Sequence, residues 1–179
     1  MDGRQGELQT MAHTIRQLVS GLRIGYHGGG MLFWKSTREE EILILLGRRS
    51  HGIDRGLWSI PGGSWSKKKD GFSPDGVRNY HTAALRKGYE ETGYIIPAQD
   101  EVTCIWSVHA PFFHYEVFDY HIRERHASIH LSPEEFSQWG WFDITALPEP
   151  LEWFLPLQLH QFRKKLHRRE RLKNTALLM

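Results

Sequence analysis

The spacing of apolar residues changes several times along this chain, and the alternation of short strand-like runs with helical periods predicts mixed α and β structure. Gly28-Gly29-Gly30-Met31-Leu32-Phe33-Trp34 and Glu41-Ile42-Leu43-Ile44-Leu45-Leu46 read as two strands joined by the polar turn Thr37-Arg38-Glu39-Glu40, a hairpin-like opening. Leu57-Trp58-Ser59-Ile60 is a further short strand, stopped by Pro61-Gly62-Gly63. Ser73-Pro74-Asp75 supplies an N-cap hydroxyl, a proline at the first helical position and an acid in the first turn, and Gly93 a left-handed stop, so a helix is expected over 74–92. Val102–Val108, Phe112–Ile122 and Trp139–Phe142 are aromatic and β-branched enough for strands. After breaks at Pro148, Pro150 and Pro156, Leu157–Leu172 has helical period and a strongly basic face. The order is ββ, β, α, βββ, α.

A length of 179 residues suits one domain. With 40% hydrophobic and 25% charged residues the composition is globular, and no run approaches the roughly 20 apolar residues of a membrane helix. The expected division is an N-terminal arm or helix over 1–27, with Ile15, Leu18, Val19 and Leu22 at helical spacing, and a single domain over 28–179 that includes the basic C-terminal helix. The lone Cys104 excludes an intramolecular disulfide and a thiolate-rich zinc site. The polar start of the chain lacks the apolar core of a signal peptide, which points to the cytoplasm. Lys and Arg number 23 against 21 Asp and Glu, a net charge of +2 that argues for no nucleic-acid partner in bulk.

The informative segment is Arg86-Lys87-Gly88-Tyr89-Glu90-Glu91-Thr92-Gly93, near the end of the expected helix. Consecutive helix positions point about 100° apart, so Glu90 and Glu91 splay like two fingers, a disposition suited to hard divalent cations that also want phosphate oxygens. Such a metal would neutralise charge developing at phosphorus and lower the pKa of an attacking water. Arg86 stands one turn before Glu90, within reach of an i,i+4 ion pair that orients it. Paired glutamates on a helix are also common as solvated surface, so the pair gains meaning from its neighbours.

Those neighbours carry a family resemblance. The chain resembles the Nudix hydrolases, whose box reads G-x5-E-x7-R-E-U-x-E-E-x-G-U with U bulky and apolar: Arg86, Glu90, Glu91 and Gly93 fall in register behind a strand that ends in Pro61-Gly62-Gly63. Ala83-Ala84 and the later run from Trp141 to Leu147-Pro148 are similar to that family too, and the likeness spans about residues 28 to 150. It implies an α+β fold, a Nudix-type α/β/α sandwich with a mixed sheet between helices. It also implies hydrolysis of the pyrophosphate in a nucleoside diphosphate linked to another moiety, with Mg²⁺ or Mn²⁺ as cofactor. Glu90 and Glu91 would bind the metal. Glu135, in the loop before Trp139-Gly140-Trp141, would complete the site or act as base, or else merely open a helical turn after Ser132-Pro133. Gly62 and Gly63 would admit substrate, and Arg48 and Arg49, after the second strand, would meet its phosphates or form a solvated edge.

Two acids of the pattern are cations in this chain. Lys87 stands where the pattern has the glutamate after its arginine, and Arg78 where it has the earlier glutamate. A protonated lysine cannot coordinate Mg²⁺. Gly63 and Arg86 are 23 positions apart (86 − 63) where the pattern has 14, so nine residues are extra, and Ser64–Phe72 is the expected insertion. Asp70, Asp75, Glu116 and Asp119 are weaker replacement acids. Gly88, where an apolar residue is expected, suggests close packing on a neighbouring element.

Two other functions fit the same residues. One is a non-catalytic Nudix-fold nucleotide-binding or regulatory domain; the other is an RNA 5′-end pyrophosphohydrolase, prompted by Glu135-Phe136 before Trp139 and by the basic C-terminal stretch, which also reads as a docked helix with a solvated face. A homodimer is open, and no membrane partner is expected. Eleven histidines, His109, His114 and His121 among them, show no strong ligand spacing.

Overall fold

A computed structural model describes residues 25–123 and 129–176. The helical spacing of Ile15, Leu18, Val19 and Leu22 lies outside them. β1 (Tyr26–Ser36) and β2 (Ile42–Arg49) form the expected antiparallel opening, with Trp34 opposite Ile44. Tyr26 and His27, read from sequence as the end of an arm, are the first residues of β1 and pair with Phe113 and His114.

β3 (Trp58–Ser59) pairs with β2, and the chain then does not stop at Pro61-Gly62-Gly63. It turns at the proline and resumes as β4 (Gly62–Ser64), antiparallel to Gly28–Gly30 of β1. Side chains at Gly28 and Gly62 would collide with the backbone of the facing strand, so the two glycine runs allow this approach. β5 (Thr103–Ala110) and β6 (Phe113–His121) form a second hairpin. β6 runs parallel to β1, and β7 (Phe136–Asp143) pairs with β2. The result is a seven-stranded mixed sheet of order β3-β2-β1-β6-β5, with β4 on β1 and β7 on β2.

β1 is buried on both faces, which is why its sequence is a continuous apolar run rather than an alternating one. Met31 and Phe33 pack with Ala84, while Leu32 and Trp34 pack with Leu155, Leu159 and Phe162. Those partners belong to α2 (Tyr80–Thr92) and α3 (Leu155–Ala176), one on each face, and the architecture is the expected α/β/α sandwich. Gly88 is where the α2 face meets β1: a Cβ there would stand 3.3 Å from both Met31 Cβ and Phe33 Cζ. α3 docks by its apolar stripe with its basic face outward, and Pro156 lies in its first turn rather than breaking the chain before it.

α2 starts six residues later than expected. Its N-cap is Asn79, whose side-chain oxygen accepts the Thr82 N–H at 2.9 Å. Ser73 and Asp75 instead shape a turn in which the Ser73 N–H donates to the Val77 carbonyl at 2.8 Å, Gly76 has φ 79°, and Phe72 bridges to Arg78. Local hydrogen bonds of Ser and Asp here compete with a helix start and win. Gly93, at φ 68°, ends α2 as expected and donates its N–H to the Tyr89 carbonyl. No helix among the described residues is long and apolar enough to cross a membrane.

Candidate functional site

β1 and β2 pair only at Trp34–Ser36, then diverge, and the β3–β4 corner fills the gap between them. The C-terminal turn of α2, the end of β2 and this corner meet at one end of a cavity of about 360 Å³. That volume lies in the range of small-molecule sites. Arg49 fixes the corner: Nε donates to Ser59 Oγ at 2.9 Å and Nη2 to the Ile60 and Gly62 carbonyls at 3.2 Å each.

Glu91 is 2% exposed. Oε2 accepts the Gly62 N–H at 3.0 Å and lies 3.6 Å from Arg49 Nη1, while Lys87 Nζ is 3.8 Å from Oε1. Burial pushes its pKa up to about 7 against the pull of Arg49, the Gly62 amide and Lys87. Glu90, one residue earlier, faces Lys69 at 3.0 Å, Arg86 at 3.0 Å and Lys87 at 3.3 Å. Burial alone would raise its pKa, but these three cations outweigh it and bring the pKa down to about 2. Glu135 sits in a turn closed by its own N–H on the Ser132 carbonyl, leading straight into β7, and reaches Arg49 Nη1 and His51 Nε2 at 3.6 Å each.

The cavity walls thus include Arg49, Gly62, Gly63, Glu91 and Glu135 of the residues expected from sequence, and Lys87 besides. Arg48 is not among them: its Nε donates to the Gly56 carbonyl at 3.0 Å. Glu90 and Arg86 lie beside the cavity rather than in its wall. Gly63 makes room for Lys87, since a Cβ there would fall 2.7 Å from Lys87 Cε.

Arg86 has a second acid that sequence reasoning ranked low. Its Nε and Nη2 hold both oxygens of Asp70 at 2.6 and 2.8 Å, Nη2 also reaches the Ser64 carbonyl, and the Ser66 N–H caps Asp70 from behind. Burial pulls the Asp70 pKa upward, yet Arg86 and the Ser66 amide win and hold it below the usual value. Asp70 ends the short helix α1 (Lys67–Asp70), within the stretch read as an insertion. Gly63 to Asp70 is seven positions where the pattern has six to its first acid, and Asp70 to Arg86 is sixteen where it has eight. Most of the extra chain is therefore the 72–78 turn, not Ser64–Phe72. Arg78, read as a lost acid, stands instead at the foot of that turn with its guanidinium over Trp65 at 5.2 Å.

The carboxylates do not make a cage for Mg²⁺ or Mn²⁺ in this arrangement. Among the described residues the oxygens of Glu90, Glu91 and Glu135 do not converge on one point, and four cations, Arg49, Lys69, Arg86 and Lys87, already contact them. A divalent cation would enter a site with no excess of negative charge.

The other end of the cavity is aromatic and amidic. Tyr26, Phe113, Tyr115 and Phe154 line it, with Tyr26 stacked on Phe113 at 5.9 Å. Gln158 of α3 also lines it, is 2% exposed, and its Oε1 has no hydrogen-bond partner within the protein. Glu152 nearby is pushed up to about 6 by burial despite the Phe154 N–H it accepts. Sequence reading missed this end. Signals in the sequence are the aromatic run around Phe113 and Tyr115 and a glutamine on the apolar stripe of α3 between Leu155 and Leu159.

The fold is an α/β/α sandwich with a glutamate-bearing helix beside a Gly-Gly corner, and comparison with known proteins gives the family. The sequence model of the NUDIX domain matches residues 30–169, and the chain belongs to that family. No curated protein matches it by sequence. Among solved structures it is similar to the NUDIX domain of Shewanella oneidensis NrtR complexed with ADP ribose, at TM-score 0.61 and 16% identity over 82% of this chain and 92% of that one. RenU, a Nudix hydrolase from M. smegmatis, gives 0.61 and 16% over 80% and 87%. A MutT NUDIX hydrolase from Burkholderia pseudomallei gives 0.54 and 23% over 76% and 96%. At these identities the likeness shows the fold.

Proposed function

We propose that the cavity binds a nucleoside diphosphate derivative, phosphates toward Arg49 and Lys87 and an attached ring system toward Tyr26, Phe113, Phe154 and Gln158. The single observation that carries this reading is the two-ended cavity itself: Arg49 and Lys87 beside Glu91 and Glu135 at one end, stacking surfaces and an unpartnered buried amide oxygen at the other. A flat ring gains from aromatic walls, and a ribose hydroxyl or exocyclic amine would give Gln158 Oε1 its missing donor. Family membership and the bound ADP ribose of the NrtR domain point to the same ligand class.

On the fate of that ligand, the geometry favours retention over cleavage. Lys87 places an ammonium between Glu90 and Glu91 where the family pattern has a third carboxylate, and it supplies charge neutralisation to a diphosphate without activating water. The hydrolase reading, in which Glu90, Glu91 and Glu135 hold Mg²⁺ or Mn²⁺, keeps the support of the family pattern and of the paired glutamates at the cavity.

One experiment separates them. The protein is titrated calorimetrically with a panel of nucleoside diphosphate sugars, ADP-ribose included, in chelator and then in Mg²⁺ or Mn²⁺, while chromatography follows mononucleotide release. Binding in chelator with no release supports the proposal. Metal-dependent release that Glu91→Gln abolishes establishes the hydrolase, and no binding to any member of the panel overturns the ligand class.

A further inference from the structure

Alternation along β6 sends Phe113 and Tyr115 to the cavity and their neighbours His114 and Glu116 to the other face of the sheet, where His114 stacks on Tyr80 of α2 at 3.9 Å. His109 of β5 is the direct cross-strand partner of His114, and Ser107 that of Glu116. Two histidines and a glutamate are therefore gathered on alternate rungs of one antiparallel ladder, on the same face of the sheet.

We infer that His109, His114 and Glu116 form a binding site for a transition-metal dication of the Zn²⁺ class. One ligand atom from each of the three lies within 4.8 Å of the other two. His114 Nε2 stands 2.9 Å and His109 Nε2 3.9 Å from Glu116 Oε1. Ligands at about 2.05 Å from a tetrahedral zinc are about 3.3 Å apart, so the observed separations bracket those of a bound site and call only for side-chain rotation. Imidazole and carboxylate suit Zn²⁺, and three protein ligands leave a fourth position open to water or a further ligand.

The surroundings agree with the chemistry. His27 Nδ1 pairs with the Tyr80 hydroxyl at 3.1 Å, which seats Tyr80 over His114. Arg78 is the cation of this region, and its guanidinium is engaged over Trp65. The backbone of the hairpin is fixed by seven register pairs, so the site is held on a rigid element.

The test uses the whole chain, stripped with chelator and titrated with Zn²⁺ by calorimetry and with Co²⁺ by visible absorption. One equivalent of Zn²⁺ and the absorption bands of tetrahedral Co²⁺ are expected. His109 is 59% exposed at its side chain and Glu116 part-buried, so His109→Asn and Glu116→Gln leave the fold intact, which circular dichroism verifies. Each variant should weaken Zn²⁺ binding by more than about tenfold and remove the Co²⁺ bands. Absence of stoichiometric uptake by the unmodified chain, or uptake of undiminished affinity in both variants, overturns the proposal.

Discussion

The Nζ of Lys87 lies 3.3 Å from Oε2 of Glu90 and 3.8 Å from Oε1 of Glu91, so one ammonium spans the two glutamates that the family pattern devotes to metal. Lys87→Glu inverts that charge. The variant is expected to gain Mg²⁺ affinity and metal-dependent cleavage of nucleoside diphosphate sugars, and to lose at least about tenfold in metal-free ligand affinity, the worth of one charged hydrogen bond. Calorimetry in chelator and product chromatography in Mg²⁺ read the two effects separately. A variant that binds as tightly as the parent in chelator would show that Lys87 does not touch the phosphates.

Gln158→Leu should change stability and affinity in opposite directions. It removes a buried oxygen that has no partner in the protein, so the ligand-free chain should melt higher. It also removes the acceptor offered to the ligand, and affinity should fall about five- to thirtyfold, equivalent to about 1–2 kcal/mol. Thermal melts with and without ligand measure both. A higher melting point with unchanged affinity would leave Gln158 out of ligand recognition.

Asp70→Asn leaves Arg86 with half of its anchorage. Asp70 is 6% exposed and is held by both arms of the guanidinium, so the loss should approach the cost of orphaning a buried charge, about 3–5 kcal/mol. Urea denaturation gives the figure. A cost below about 1 kcal/mol would mean that Glu90 and the Ser64 carbonyl alone hold Arg86.

The stability of the ligand-free chain should depend on pH around neutrality through Glu91. Its folded pKa of about 7 lies above the unfolded value of 4.5, so the native state binds the proton more tightly than the unfolded chain. That contribution is fully present below pH 4.5 and is lost as pH rises through about 7; its full size is about 3 kcal/mol. Glu152, raised to about 6, acts in the same direction. Melting temperature should fall between pH 5.5 and 8.5, and Glu91→Gln should flatten most of the slope. An equally steep slope in the variant would assign the effect elsewhere.

The elements that sequence reading located are those whose signal is local. Gly93 stopped a helix, the apolar run of β1 marked a strand, and Glu90 and Glu91 followed from a compact string of residues on one helix. What escaped depends on contacts between distant segments. Asp70 meets Arg86 only because the 72–78 turn folds the intervening chain away, and nothing in Ser73-Pro74-Asp75 separates such a turn from a helix start. The aromatic end of the cavity draws Tyr26, Phe113 and Phe154 from three separate elements or loops. Lys87 read as a missing acid, and its reach across both glutamates became visible only with Gly63 opposite its stem.

The parallel pairing of β1 with β6 also sets a timetable. Tyr26 waits for Phe113, 87 positions later (113 − 26), before that edge of the central strand is covered. At roughly 5–20 residues per second, a ribosome needs roughly 4–17 s to deliver the partner. During that interval Met31-Leu32-Phe33-Trp34 is an apolar stretch with one edge unpaired, and newly made copies are at risk of pairing with one another before they can close on themselves.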